Sequence, residues 1–202
     1  MVKIKFLKLP LILSLFLLLP FAGCEVAQQA QQVANLVNCD FRIKDVADIR
    51  LAGVQFQNIK SISDFSVVDA ARLMASLAAP TVPLSLRLDL EGRNPNVSAA
   101  GLNRLEWILF IDDIQMTTGI LDKSFTIPPQ GVTTIPMALS VDLKKVLSGK
   151  SANALFNFCL NLAGAGNKPT RFKIKLKPTV YVAGRALTYP GYINVKTEYG
   201  AK

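Results

Sequence analysis

The chain has 202 residues, with 23 lysine and arginine residues against 14 aspartate and glutamate residues, so its formal net charge is +9. It contains no histidine, which excludes histidine-based catalytic triads and histidine metal sites. Other candidate catalytic residues are also largely lacking, so we expect no enzyme activity, no metal and no cofactor.

The first 23 residues have the layout of a secretory signal. Three lysines and no acid precede an apolar run from Leu9 to Ala22, which only Ser14 and two prolines interrupt. The run is shorter than the roughly 20 residues of a spanning helix, and it lacks the polar period of 3.6 that a buried core helix would show. Without residues 1–23 the chain has 179 residues (202 less 23), one domain's worth.

The end of this run, Leu18-Leu19-Pro20-Phe21-Ala22-Gly23-Cys24, resembles a bacterial lipobox, although Phe21 stands where that pattern prefers leucine. Such a cysteine is lipidated and becomes the first residue after cleavage. Stable anchoring needs more than one acyl chain, and a lipidated, acylated N-terminal cysteine supplies them. We expect Cys24 to carry the anchor, and the protein to lie at the outer membrane facing the periplasm. The alternative is a cleaved signal with an unmodified Cys24.

The loss of three lysines with the signal lowers the net charge from +9 to +6. This moderate excess suits attraction to an anionic surface and does not require nucleic acid. Because an exported protein would rarely meet nucleic acid, we expect no such partner.

Two further cysteines, Cys39 and Cys159, remain after the anchor is assigned. An oxidising periplasm permits a disulfide between them, which would close a loop of about 120 residues and stabilise the fold. The alternative is two separate buried thiols that behave as small hydrophobic side chains.

Residues 24–38, rich in glutamine and alanine, predict a helical or loosely ordered tether ahead of a single domain at 39–202. One long or two short strands are expected between Asn38 and Gln57, followed by an amphipathic helix from Ser66 to Ala79. The clearest strand is Leu84 to Glu91, in which four leucines alternate with polar residues. Further strands are predicted at 105–114, 114–120, 123–127, 132–141, 171–177, 179–183 and 192–196, and helices at 143–147 and 152–163.

Many short strands with few helices predict a mostly β protein, an antiparallel sandwich of the immunoglobulin or fibronectin III type with one or two added short helices. Helices do not alternate with strands, which argues against a doubly wound fold. Pro136 places the strand at 132–141 on a sheet edge or at a bulge.

Residues 84–143 resemble the late-embryogenesis-abundant type 2 domain, also called the water-stress and hypersensitive-response (WHy) domain. The resemblance rests on the alternating strand before Asn94-Pro95-Asn96, on the strand Leu105-Glu106-Trp107-Ile108-Leu109-Phe110-Ile111-Asp112, and on Phe125-Thr126-Ile127-Pro128. It implies a seven-stranded sandwich, frequent membrane tethering and no established enzymatic activity. Roles in stress protection and in lipid or partner binding are also implied.

Three polar features invite a functional interpretation. The Asn94-Pro95-Asn96 turn favours a structural role, since Pro95 fixes φ and both asparagines can bond nearby backbone. Asp112 and Asp113 form the one adjacent acid pair, and no partner for a paired-carboxylate mechanism is identifiable.

The third feature is a row of cations that share one strand face and could contact anionic headgroups; it consists of Arg171, Lys173, Lys175 and Lys177. A solvated strand face, its charge partly balanced by Arg87, Asp89 or Glu91, is the favoured alternative.

These patterns favour a membrane-anchored, non-catalytic binding or stress-protective module of the cell envelope, with a lipid or an envelope protein as partner. Two alternatives stay open. One is a lipid-binding or lipid-transfer protein that uses an apolar groove in the sandwich, and the other is a hydrolase of unrecognised type.

Overall fold

The computed structural model describes residues 20–56, 59, 62–146, 148, 152–162 and 168–199. In chain order the elements are α1 (Pro20–Val37), β1 (Asp40–Leu51), β2 (Val54–Gln55), a 3₁₀ turn (Ile62–Asp64), α2 (Val67–Ala78), β3 (Pro83–Arg93), β4 (Ala100–Leu102), β5 (Arg104–Ile111), β6 (Ile114–Leu121), β7 (Phe125–Ile127), β8 (Val132–Asp142), α3 (Leu143–Val146), α4 (Ala152–Leu162), β9 (Thr170–Val182), β10 (Arg185–Thr188) and β11 (Ile193–Tyr199).

The strands form two main antiparallel sheets and one small one. The first sheet has the order β2-β1-β3-β8, and the second has the order β10-β9-β5-β6, with β11 also paired to β9. Strands β4 and β7 form a two-stranded sheet of their own. Buried side chains from both main sheets join in one hydrophobic cluster, so the predicted sandwich is confirmed.

In the first sheet, side chains alternate between the core face and the outer face, as the sequence predicts. The four leucines of β3 are buried, while Arg87 on the opposite face is exposed. Pro136 lies on β8 at the edge of the sheet, where a missing N–H costs no ladder bond. Glu91 departs from the pattern, because it is only 8% exposed and pairs with Arg42 of β1 at 2.6 Å.

The second layer is centred on β5, which pairs with β6 on one side and β9 on the other. Its buried face carries Trp107, whose ring covers Gly119 of β6. A Cβ atom at residue 119 would lie 2.2 Å from that ring, so only glycine leaves room for the indole. Met116 of β6 is also buried in the core on this side.

Two predicted segments have a different extent in the structure. Where strands were predicted between Asn38 and Gln57, the described residues form one long strand, β1, with register shifts after Ile43 and Ala47, and then the short β2. The predicted strands at 171–177 and 179–183 are continuous as β9, and β10 follows after a tight turn. That turn places Ala183 and Gly184 in the left-handed region, which suits a two-residue hairpin.

The predicted helix after Ser66 is confirmed, and Ser66 caps it by accepting a hydrogen bond from the Asp69 N–H at 3.0 Å. Its apolar face is narrower than predicted, because Leu73 is buried but Val68 is 66% exposed. In α4, Cys159 and Leu162 are buried. The side chains of Leu155 and Phe156 on the same helix lie outside the described residues.

Candidate functional site

The cationic row lies on β9, the central partner of β5, β10 and β11. Phe172, Ile174 and Leu176 point into the core. The row of four cations therefore occupies the outer face, as the alternation predicts. Arg171 is exposed and the three lysines are half-buried.

Two aspartates neutralise one half of the row. Asp112 and Asp113 form the tight turn between β5 and β6, both with positive φ, a conformation that aspartate tolerates better than most residues. Arg171 lies 3.5 Å from the Asp112 carboxylate and 3.4 Å from that of Asp113, and Lys173 lies 3.0 Å from Asp113. The adjacent acid pair is thus a charged hairpin tip that holds the start of β9.

These neighbours change the pKa of the Asp113 carboxylate. A hydrogen bond from Lys173 and the positive charges of Lys173 and Arg171 lower its pKa below the ordinary aspartate value. The sequence suggested that Asp89 or Glu91 balances the charge of the row. In the structure, Asp112 and Asp113 do so. Asp89 and Glu91 lie on β3 in the other sheet, where Asp89 pairs with Arg87 and Glu91 pairs with Arg42.

The other half of the row contacts aromatic rings. The Lys175 ammonium lies 5.4 Å from the centre of the Phe110 ring and 5.9 Å from that of Tyr192, and the Lys177 ammonium lies 5.8 Å from Tyr192. Within the described ranges, neither lysine has a carboxylate at ion-pair distance. Cation–π attraction at exposed sites is weak, so both charges stay available.

A second polar assembly joins the N-terminal helix to the body. Asn35 of α1 is 4% exposed, and its side-chain amide donates to the Ser98 hydroxyl at 2.7 Å and to the Ala99 carbonyl at 2.8 Å. Asn96 donates back to the Asn35 carbonyl at 2.9 Å. Leu36 is also buried, so the packed body includes the last turn of the segment that the sequence assigned to a tether.

The Asn94-Pro95-Asn96 turn is the centre of this assembly, and its predicted structural role has a direct geometric basis. Asn94 is fully buried and donates to the carbonyls of Ser98 at 2.9 Å, Ile127 at 3.1 Å and Pro128 at 3.1 Å. Its side-chain oxygen accepts from the Asn96 N–H at 3.0 Å. We call Asn35, Asn94 and Asn96 the asparagine bracket.

The backbone of Cys24 is part of α1, and its side chain lies outside the described residues. Residues 1–19 of the predicted signal lie outside the described residues. Further along α1, Ala27, Gln28, Ala30 and Gln31 are exposed. No helix in the described part of the chain combines the length and hydrophobicity needed to cross a bilayer.

Cys39 and Cys159 are free thiols in the structure, and both are buried. Burial is the main reason that the pKa of Cys39 rises to about 11, with a further contribution from Asp40. Burial alone raises the pKa of Cys159. The thiol of Cys39 donates to the Asn35 carbonyl at 3.4 Å. Burial therefore favours the protonated form of both thiols, which is the less nucleophilic form.

An apolar cavity of about 270 Å³ lies between the end of α1 and the β9–β10 hairpin; its lining includes Leu36, Val37, Val180, Leu187 and Ile193. Its volume is slightly below the range of ordinary small-molecule sites. Among the described residues, no group of three or more histidine, cysteine, aspartate and glutamate side chains could hold a metal ion.

Sequence reasoning missed two parts of these sites. The bracket joins residues about 60 positions apart, and no local pattern connects Asn35 with Ser98. The aspartate hairpin had a signal that could have been used, since two adjacent residues that tolerate positive φ between two strands are typical of a two-residue turn.

Comparison with known proteins gives one family match and several structural neighbours. The model of the family described as "Late embryogenesis abundant protein" (LEA_2) matches residues 89–190, just over half of the chain. No curated protein matches the chain.

Three solved structures match the chain at low identity. A putative late embryogenesis abundant protein is 11% identical over 96% of this chain and 86% of its own, with a TM-score of 0.40. A protein from Arabidopsis thaliana is 12% identical over 80% and 78%, with a TM-score of 0.37. A protein from Archaeoglobus fulgidus is 13% identical over 61% and 89%, with a TM-score of 0.34. On the family match, this chain belongs to the late embryogenesis abundant LEA_2 family.

Proposed function

We propose that this chain is a lipid-anchored, non-catalytic LEA type 2 module of the bacterial cell envelope, close to the WHy subtype. It would act as a binding or stress-protective domain at the outer membrane, facing the periplasm. Support comes from the LEA_2 family match and from the lipobox-like border at Cys24. The family is generally non-enzymatic, which agrees with a chain that lacks histidine.

The observation that carries the proposal is the continuity of α1 from Cys24 into the asparagine bracket. Asn35 lies eleven positions after Cys24, and at 1.5 Å per residue a helix spans about 17 Å over that distance. An acyl anchor on Cys24 would therefore hold the sandwich close to the bilayer through a stiff link, whereas a flexible linker would let it move freely. Such a link suits a module that works beside a membrane.

Intact mass spectrometry of the protein purified from membranes tests the anchor. We expect a mass increase for the acyl chains on a chain that begins at Cys24, and we expect Cys24→Ser to lose both this mass and the membrane fractionation. Gln28→Ser, at an exposed position of the same helix, is the control and should stay in the membrane. Unchanged fractionation of Cys24→Ser would refute the anchor.

The same measurement with and without reductant tests the disulfide. A loss of two mass units on oxidation would indicate a bond between Cys39 and Cys159, and no change would support the free buried thiols of the structure.

The apolar cavity beside α1 favours a second candidate, a lipid-binding or lipid-transfer protein. Its lining is almost wholly apolar, and Leu187 at its mouth is 47% exposed, which would allow entry of an acyl chain. Phospholipid that copurifies with the native protein and is lost in Leu187→Glu would support this role. Protein that is free of lipid in both forms would favour the plain module.

A further inference from the structure

The available half of the cationic row lies among apolar and aromatic side chains on the same sheet face. Across the strands, Lys175 lies opposite Ile108 of β5 and Asn194 of β11. Tyr192 is 43% exposed beside both lysines, and Ile120 of β6 is 54% exposed. A depression of about 420 Å³ lies between Ile108, Ile120 and Tyr192.

We propose that this headgroup patch, made of Lys175, Lys177, Tyr192, Ile108 and Ile120, docks on the anionic phospholipid headgroups of the bilayer that holds the protein. The inference rests on the proposed function, because the anchor must bring the patch near a bilayer. It assigns the contact to one half of the row and excludes Arg171 and Lys173, whose charges Asp112 and Asp113 already balance.

The chemistry of the patch fits a lipid surface. Two lysines that have no carboxylate partner in the described part of the chain supply point charges for phosphate, each expected to contribute near an anionic surface. A tyrosine with an exposed ring and hydroxyl is the kind of side chain that prefers the bilayer interface. Two isoleucines beside them offer apolar area to the region just below the phosphates. The one acid among them, Glu106 opposite Lys177, lies 3.8 Å from Arg104.

The anchor proposed at Cys24 also favours a membrane over a soluble partner. The acyl anchor proposed at Cys24 joins the body through α1, whose last turn is fixed by the asparagine bracket. The body therefore stays within about one helix length of the membrane. At that distance even a weak patch meets headgroups at high effective concentration.

The test uses the full acylated chain in vesicles of phosphatidylcholine, with or without phosphatidylglycerol. A fluorophore is placed at Asn194→Cys, beside the patch, or at Ala138→Cys, an exposed position on β8 of the other sheet. Cys39 and Cys159 are buried and should not react. Quenching by an aqueous quencher reports the exposure of each label, and vesicle flotation reports anchoring independently.

We expect the label at residue 194, but not that at 138, to become protected in anionic vesicles only. The double variant Lys175→Gln/Lys177→Gln should lower the docking equilibrium constant by about thirtyfold. The matched control Arg171→Gln/Lys173→Gln removes the same charge from the balanced half and should change it less than about threefold. Tyr192→Ala should weaken docking, whereas Tyr181→Ala, whose side chain is also 43% exposed, should not.

The patch is refuted if flotation shows an anchored protein whose label at residue 194 stays as accessible as that at 138. Equal losses in the two charge variants would also overturn it, since docking would then follow net charge alone. If the protein does not float, the proposed anchor is refuted. Cosedimentation of the same chain with anionic vesicles then tests whether the patch binds headgroups. Selective loss of binding in Lys175→Gln/Lys177→Gln would then support it, and equal binding of both variants would refute it.

Discussion

The asparagine bracket and the cationic row use polar residues in opposite ways. In the bracket, Asn35 and Asn94 are almost fully buried, and each side-chain amide bonds two or more backbone or hydroxyl oxygens. In the row, Lys175 and Lys177 are half-exposed and lie over the rings of Phe110 and Tyr192 at 5.4–5.9 Å. Satisfied buried polar groups fix a structure, whereas exposed charges without partners remain free to bind.

The strongest test of this contrast is Asn94→Ala. It leaves the Ile127 and Pro128 carbonyls without their side-chain donor in the interior. Because a buried unsatisfied group costs about 1–3 kcal/mol, we expect the free energy of unfolding to fall by about 3 kcal/mol. Urea unfolding measures it. Asn194→Ala on exposed β11 is the control and should change stability by less than about 0.5 kcal/mol; a similar result for Asn94→Ala would show that the bracket is dispensable.

Asn35→Ala should have a smaller and more local effect. It removes the donor to the Ser98 hydroxyl and the Ala99 carbonyl, and so releases the last turn of α1 from the body. We expect a loss of about 2 kcal/mol, seen as about thirtyfold faster hydrogen exchange of the α1 amides. Amides of β3 should keep their protection. Gln28→Ala, at an exposed position of the same helix, should leave α1 exchange unchanged. If exchange in Asn35→Ala also matches the native protein, other contacts hold the helix.

The sandwich was predictable because its strands carry their burial in the local pattern. The leucines of β3 and the alternation of β9 specify which face is buried, and Pro136 specifies an edge. The family resemblance was predictable for the same reason, since it depends on the order of these strands and turns. The cationic row shares one face simply because side chains alternate along a strand.

What the sequence did not reveal depends on contacts between distant residues. Nothing near Asn35 in the sequence indicates that residues 98 and 99 lie against it, so the helix looks like a tether. The balance of charge at Arg171 was also hidden, because Asp112 lies 59 positions away and reaches it only through pairing of β5 with β9. Local periodicity predicts which face a side chain occupies, and tertiary pairing decides what it meets there.

Glu91 combines features of the bracket and of the row, because it is buried like the asparagines and charged like the lysines. The hydrogen bond from Arg42 lowers the pKa of Glu91 below its ordinary value, and the charges of Arg42 and Lys44 act in the same direction. A carboxyl with a lowered pKa stabilises the fold above its unfolded-state pKa, about 4.3, and this stability is lost as the pH falls through the folded value.

We therefore expect the melting temperature to fall between pH 5 and pH 3, and Glu91→Gln to reduce that fall while lowering the melting temperature at pH 7. Glu198→Gln, on exposed β11, should reproduce the native profile. Thermal unfolding at a series of pH values measures both. Identical slopes for the native protein and Glu91→Gln would mean that other carboxylates govern the acid response.

The smallest expected effect on stability belongs to the residues that we assign to membrane contact. Lys175→Gln/Lys177→Gln removes two charges that make three ring contacts at 5.4–5.9 Å, near the outer limit of cation–π attraction. It uncovers no buried polar group, so the free energy of unfolding should change by less than about 1 kcal/mol. Urea unfolding in the absence of lipid checks this. Charges that remain available for a partner should contribute little to the stability of the fold. If the free energy of unfolding fell by about 2 kcal/mol or more, these lysines would be structural residues, like those of the bracket.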